Sequence, residues 1–235
     1  MASYQTRRRD PLFDSTTQAA LEKRSKELLG FGLIVVGLFV AAMFVSYTPN
    51  DPSWISATDA PVQNWLGRFG AATAAPLMMI LGRGTWVVPL ILVAWGLRFV
   101  GHWGEERAIG RLIFAPIALA VASLYAATLA PTASWPPNFG LGGLFGDTVL
   151  GVILTVLPFG ASFAVKSMSL VTGVAALMLL AFALGFSRPE LRAGFRFVLV
   201  GTVVLYDFIL RGAVRSIGVM WQIGAGIGEI GRAHV

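Results

Sequence analysis

Apolar residues run along this chain in long unbroken blocks, rather than at the spaced positions that give a water-facing helix or strand one greasy side. Leu28–Tyr47 carries no charged side chain over 20 residues, Leu112–Gly146 none over 35, and Ser167–Ser187 none over 21. A helix rises 1.5 Å per residue and a bilayer's hydrocarbon core is about 30 Å thick, so roughly 20 apolar residues cross it. Each block therefore predicts a transmembrane helix.

A fourth crossing falls in Phe69–Leu97, which is longer than one span needs and is divided by Gly82-Arg83-Gly84. Either two short helices both cross, or a half-helix near the outer interface precedes one crossing helix, Thr85–Val100. Each uncharged piece is 14 residues, short of a span, which favours the half-helix. The second half of the chain repeats the pattern. Leu112–Pro131 is a span that Pro116 can kink, and Thr132–Asp147 is a Gly- and Pro-rich loop. Thr148–Val165 is then an apolar half-helix, Lys166 interrupts, and Ser167–Ser187 crosses. The repeat is one of hydropathy and not of residue identity.

Polar segments fill the gaps. Met1–Glu27 is a basic tail in which Ser15 and Gln18 have the spacing of a capping box opening the first helix. Arg7, Arg8 and Arg9 resemble an export signal, but the apolar run starts some twenty residues later and is too long for a signal core. Ser46–Leu66 is a loop with Pro49, Pro52 and Pro61, which break helices, and with Trp54 and Trp65, which suit the headgroup layer. The last segment, Glu190–Arg215, holds an apolar stretch of ten residues, Phe197–Tyr206. At about 15 Å of helix that is too short to cross. Arg192, Arg196, Asp207, Arg211 and Arg215 fall within one arc of about 140°, so an amphipathic helix on the inner face is the preferred reading over a fifth crossing.

Charge sets the orientation. Of 18 Lys and Arg residues, six lie in the tail, three at positions 98–111 and six from Arg188 onward. Four spans with both ends inside put these 15 on the cytoplasmic face, leaving Arg68, Arg83 and Lys166. Six spans would place Arg98, Arg107 and Arg111 outside, against the positive-inside rule. Composition agrees: 56% hydrophobic and 13% charged, with a mean hydropathy of +0.72, where a soluble domain is about 25% charged. The fold class expected is all-α integral membrane. It comprises four transmembrane helices (28–187), two half-helices on the periplasmic side, and an inner-face amphipathic helix leading into a linker (188–229).

Candidate chemistry is sparse. There is no cysteine, so disulfides, thiol nucleophiles and Cys-based metal sites are excluded. His102 and His234 have no partner pattern, and no metal or cofactor is expected. Gly160–Ser167 matches a phosphate-binding loop except that Val165 replaces the second glycine, whose backbone curls around phosphate; flanking apolar helices make it a lysine at a helix break. Arg83 and Lys166 sit at breaks, where long stems snorkel. Asp147 opens an apolar run, where a carboxylate suits the helix dipole, and Asp207 pairs with Arg211 one turn on. No row of buried acids argues for a proton- or cation-coupled transporter, although a small transporter or channel subunit is the alternative class. Nor does any basic patch interleave with aromatics to read nucleic acid. Ala118, Ala122, Ala126 and Ala130 form a small-residue stripe on which helices approach closely, whether within the chain or between chains.

At Ser46-Tyr47-Thr48-Pro49-Asn50-Asp51-Pro52-Ser53-Trp54 the first span ends in a motif that resembles the Ser-Tyr-x-Pro-x-Asp-Pro-Ser-Trp signature of the FtsK/SpoIIIE family of DNA translocases. Val88–Arg98, with Pro89 and its Trp95-Gly96-Leu97-Arg98 ending, is similar to the family's second span. Gly140-Leu141-Gly142-Gly143 is similar to the Gly-rich lead into its last half-helix. The motif residues of interest are Ser46, Tyr47, Pro49, Asp51, Pro52, Ser53 and Trp54. The resemblance, over about residues 28–187, implies a four-helix N-terminal membrane domain without the motor. It implies anchoring in the bacterial inner membrane at the division septum, assembly as a homo-hexamer, and contacts with lipid and other division proteins. Ile230-Gly231-Arg232-Ala233-His234-Val235 is the in-frame translation of ATCGGAAGAGCACACGTC, a common sequencing-adapter string. The native protein is therefore expected to continue past about Glu229, which the source gene beyond that codon tests.

Overall fold

A computed structural model describes residues 14–132, 135, 137–158, 160–204, 206–208 and 210–211. Expectations about Arg7–Arg9, Arg215, His234 and residues 230–235 lie outside the described residues. Among the described residues every element is helical, apart from an isolated bridge between Ser53 and Ser56.

Among the described residues up to Gly185, the α-helices in chain order are α1 Ser15–Val45, α2 Gly67–Leu81, α3 Val87–Gly101, α4 Ala108–Leu112, α5 Ala115–Ala127, α6 Gly143–Val156 and α7 Ala161–Ala183. A 3₁₀ segment, Gly82–Trp86, joins α2 to α3. Three stretches among the described residues are long and apolar enough to cross a membrane: α1, the run from α2 through α3, and α7. The pair formed by Glu105–Leu112 and α5, bent by 58°, brings the number to four when it is taken as one broken span.

The framework is the pair α1 and α3, which lie along one another. They approach at glycines: a Cβ on Gly30 would stand 2.6 Å from the Gly96 carbonyl oxygen, and one on Gly96 would stand 2.7 Å from that of Gly30. In lipid, where water gives helices no reason to associate, such contact supplies the dispersion energy that does. One end of the pair holds the polar start of α1 and the 101–107 turn; call it the tail end. The other, the loop end, holds residues 46–66.

At the tail end Lys26 reaches Glu105 at 2.8 Å, and His102 stands between Glu27 (3.3 Å) and Glu105 (3.2 Å). The hydrogen bond from the Lys26 ammonium holds the Glu105 carboxyl below the usual carboxylate range.

The half-helix α2 stays at the loop end. Fifteen residues make about 22 Å of helix, yet both ends stay against one turn of α1. The Asn64 amide, just before α2, bonds the Met43 carbonyl at 2.9 Å, and Trp86, just after, meets Phe44 ring to ring at 6.2 Å. A helix crossing parallel to α1 would carry these ends apart, so α2 lies across the end of α1. Ala74 and Met78 complete that cluster. A second core cluster, Val87, Ile91, Trp95, Ala108, Ala118 and Ala183, joins α3 to α4, α5 and α7.

The second half departs from expectation at three points. The break before α7 falls at residues 157–160 and not at Lys166, which is exposed in the second turn of α7. The cause is Pro158: the residue before a proline is driven out of helical geometry, and Leu157 has ψ 127°. The bend in the Leu112–Pro131 span falls at residues 113–114, between α4 and α5, rather than inside a helix at Pro116, which lies in the first turn of α5, where its missing N–H leaves no helical bond unmade. Asp147 does not serve the α6 dipole from its first turn. Instead its carboxylate turns back to accept the Gly140 amide at 2.8 Å.

At the N-terminus, α1 does begin at Ser15, but the cap is Asp14 and no side chain closes a capping box. Residues 186–211 form a separate unit, helical from 188 to 204. A capping box does occur here: Ser187 N donates to Glu190 Oε2 at 2.8 Å, and Glu190 N donates to Ser187 Oγ at 3.4 Å. Asp207 and Arg211 form the anticipated pair at 2.7 Å.

Candidate anchoring and assembly site

The Ser46–Trp54 motif forms a clasp. Ser46 Oγ donates to the Ala42 carbonyl at 2.7 Å and accepts the Trp65 amide at 3.0 Å, tying the last turn of α1 to the residues before α2. Asp51 is only 2% exposed, and its two carboxylate oxygens accept the Gln63 and Asn64 amides, each at 2.9 Å. A buried carboxylate needs such donors, since desolvation without them costs several kcal/mol (roughly). Asn64 in turn binds Met43 and accepts the Leu66 amide at 3.1 Å. Tyr47, Pro49, Pro52 and Ser53 are half-buried, while Trp54 is 85% exposed. The motif thus folds the loop back on itself and turns one large aromatic outward.

Asp51→Asn tests the clasp. The amide has one acceptor oxygen, and its NH₂ faces a backbone N–H that also donates, so one charge-assisted bond becomes an unfavourable contact. A loss of about 2–3 kcal/mol is expected, read as a lower unfolding midpoint in detergent. An unchanged midpoint would show that these bonds do not hold the loop.

A second site fastens the end of α7. Trp95 Nε1 donates to the Ala183 carbonyl at 2.7 Å, Arg98 Nε to Leu184 at 2.8 Å, and Arg111 Nη1 to Phe182 at 3.0 Å. The last carbonyls of a helix have no partner within it and carry the negative end of its dipole; here two guanidinium groups and an indole from α3 and α4 donate to them, the Phe182 carbonyl also accepting the Gly185 amide at 3.0 Å. Arg98 also bonds the Trp103 carbonyl at 3.1 Å. The Trp-Gly-x-Arg ending of α3 therefore works on another helix, 86 residues away. Nothing in the spacing of Arg111 marked it as a third donor.

At the loop end, the break after α2 meets the start of α6. Arg83 N donates to the Leu141 carbonyl at 2.7 Å. Ser123 of α5, fully buried, donates to the Leu81 carbonyl at 2.8 Å. Gly142 and Gly146 press against it so closely that a Cβ on either would meet the Ser123 carbonyl oxygen. Ser123 was missed in the sequence, where it sits among alanines of the packing stripe. Of that stripe, Ala118 and Ala126 are buried within the chain and Ala122 packs beside them, whereas Ala130 is exposed beyond the end of α5. Gly160–Ser167, the near phosphate-loop, is the cap and first two turns of α7. Among the described residues no three His, Cys, Asp or Glu side chains cluster to hold a metal.

Fold and sites together define an all-α membrane domain of three to four crossing helices, clasped at one end and knotted around glycines beneath it. The chain matches the family model of the 4TM region of DNA translocase FtsK/SpoIIIE over residues 22–195, and it belongs to that family. It is 31% identical over 188 residues to a DNA translocase FtsK of Azospirillum brasilense, which covers 79% of this chain and 30% of that protein. It is 31% identical over 167 residues to one from Bradyrhizobium diazoefficiens, covering 70% and 20%. To one from Brucella suis it is 35% identical over 165 residues, covering 67% and 19%. The chain thus spans between about a fifth and a third of these curated relatives' length, and the match falls on their membrane region rather than on a motor. No solved structure matches it.

Proposed function

We propose that this domain anchors and assembles a septal DNA translocase acting in cell division and chromosome segregation. What supports the reading is the family match over the membrane segment of relatives that are DNA translocases. Of the seven motif residues, Ser46 and Asp51 act as the loop clasp and Trp54 faces outward, and Ala118, Ala122 and Ala126 serve packing within the chain. The tail end, with the start of α1 and the 101–107 turn, faces the cytoplasm and the loop end with Trp54 faces the periplasm; the basic residues from Arg188 onward assign that segment to the cytoplasmic side as well. Retaining most positive charge on the tail side supports this. Other copies of the chain, as a hexamer, and other division proteins meet its exposed surfaces. Only 11% of the apolar window of α7 is buried within the chain, which leaves that helix to lipid or neighbours.

Because the chain has no native cysteine, single cysteines report topology directly. Asp59→Cys should react with an impermeant maleimide from the periplasm, and Glu106→Cys only after the membrane is opened. The reverse pattern would reject the orientation. A fluorescent fusion of the 235-residue chain should collect at the division site; uniform membrane distribution would reject the septal role.

A further inference from the structure

A cavity of about 390 Å³ opens at the loop end, lined by Phe44, Tyr47, Met78, Arg83, Trp86 and Trp135 among others. It falls in the roughly 300–1,000 Å³ range of small-molecule sites. Its one charged lining residue is Arg83, whose side chain is exposed and has no carboxylate partner among the described residues.

The group is held in place from both sides. Its backbone is fixed by the bond to the Leu141 carbonyl at 2.7 Å. Its guanidinium lies over the Trp135 ring, 5.3 Å from the centroid. Trp135 is itself pinned, donating from Nε1 to the Phe139 carbonyl at 2.7 Å and packing edge-on to the Phe139 ring. A guanidinium that engages an indole through its face keeps its in-plane N–H fork for other partners. That fork is the geometry that takes two oxygens of a phosphate.

The depth of the cavity selects the ligand. Phe44 and Tyr47 sit at the end of α1, and Trp54 and Trp65, 85% and 72% exposed, flank the same end. Aromatic residues of this kind settle at the headgroup layer, where lipid phosphates lie. The remaining walls are mainly aromatic and aliphatic, with the Tyr47 phenol among them, and suit the glycerol and upper acyl chains rather than a hydrated ion.

We propose that Arg83 and the aromatic cleft around it bind the phosphodiester of a phospholipid headgroup, preferring a net anionic lipid that brings no ammonium group beside the arginine. The site does not depend on which face of the membrane the loop end occupies.

The 235-residue chain, purified in mild detergent, would be mixed with phosphatidylglycerol or phosphatidylethanolamine and its bound lipid counted by native mass spectrometry. Phosphatidylglycerol should be retained at about one per chain. Arg83→Gln should cut retention about tenfold, while Arg68→Gln, an exposed arginine not lining the cavity, should not. Arg83→Lys, keeping the charge without the fork, should fall between. Far-ultraviolet circular dichroism and the unfolding midpoint identify any variant that has lost its fold; for that case, displacement of lipid from the wild type by arginine-modifying phenylglyoxal gives a second readout. Equal retention by wild type and Arg83→Gln overturns the proposal. So does displacement of the lipid by millimolar inorganic phosphate, which would mark a free-phosphate site. Loss of lipid retention with simultaneous capture of an acidic peptide by Arg83 would assign the cleft to a protein partner and overturn it likewise.

Discussion

Gly82→Ala is expected to destabilise the domain by about 3–5 kcal/mol, combining backbone strain with a steric clash. Gly82 has φ 55° and ψ −134°, a region that side chains other than glycine's hydrogen rarely enter. A methyl group there would fall on the carbonyl oxygen of Leu141 and the amide nitrogen of Gly143. Both are backbone atoms, so neither yields by changing rotamer. Moving them would break the Arg83 N to Leu141 bond and part α2 from α6. Gly151→Ala is the control, because nothing lies within 4 Å of a Cβ at that helical position. It should be neutral or gain up to about 1 kcal/mol from helix propensity. Thermal unfolding in detergent separates the two, and equal midpoints would refute the account of the break.

Arg98→Leu carries the second large effect. Arg98 is 8% exposed and bonds carbonyls of both Leu184 and Trp103. Hydrogen bonds between helices in lipid average only about 0.6 kcal/mol, which would make the change mild. This case differs because the donor is charged, sits at the negative end of a helix dipole, and leaves acceptors without a partner when removed. A loss of about 2–4 kcal/mol is therefore expected. It should be confined to one place: faster amide exchange at residues 180–185, with α1 little changed. Arg98→Lys should restore part of the stability by its charge alone, though it cannot fill both bonds. If exchange at 180–185 were unaltered in Arg98→Leu, the fastening of α7 would need another explanation.

Much of this architecture was legible from where charges are missing. Leu28–Tyr47 and Ser167–Ser187 matched helices because lipid insertion depends on length and charge, both of which a linear reading captures. The half-helix α2 followed from arithmetic, since the two 14-residue uncharged pieces on either side of Arg83 are too short for both to cross. What escaped was local backbone chemistry that hydropathy does not weigh. Lys166 looked like an interruption because it is charged, yet a snorkelling lysine costs a helix little, while Pro158 removes a donor and forces Leu157 out of the helix. The Ser187–Glu190 box was present as Ser-x-x-Glu with a proline inside, and a matching pattern at Ser15 drew attention instead. Site residues divided the same way. The Ser46–Trp54 motif was visible as a pattern, but that Asp51 is buried against two amides depends on a loop fold with no periodicity. Trp95 and Arg98 stood in a motif whose target lies 86 residues on, and no spacing rule reaches that far.

The donors from Trp95, Arg98 and Arg111 have a mechanical consequence. Traction on the polypeptide beyond Gly185 arrives first at the final turn of α7, the part of an isolated helix that unwinds most readily. Here that turn is stitched sideways into α3 and α4, so unwinding it means rupturing three cross-links together, and the strain is shared among neighbouring helices. The polypeptide departs from α7 at a reinforced mooring point.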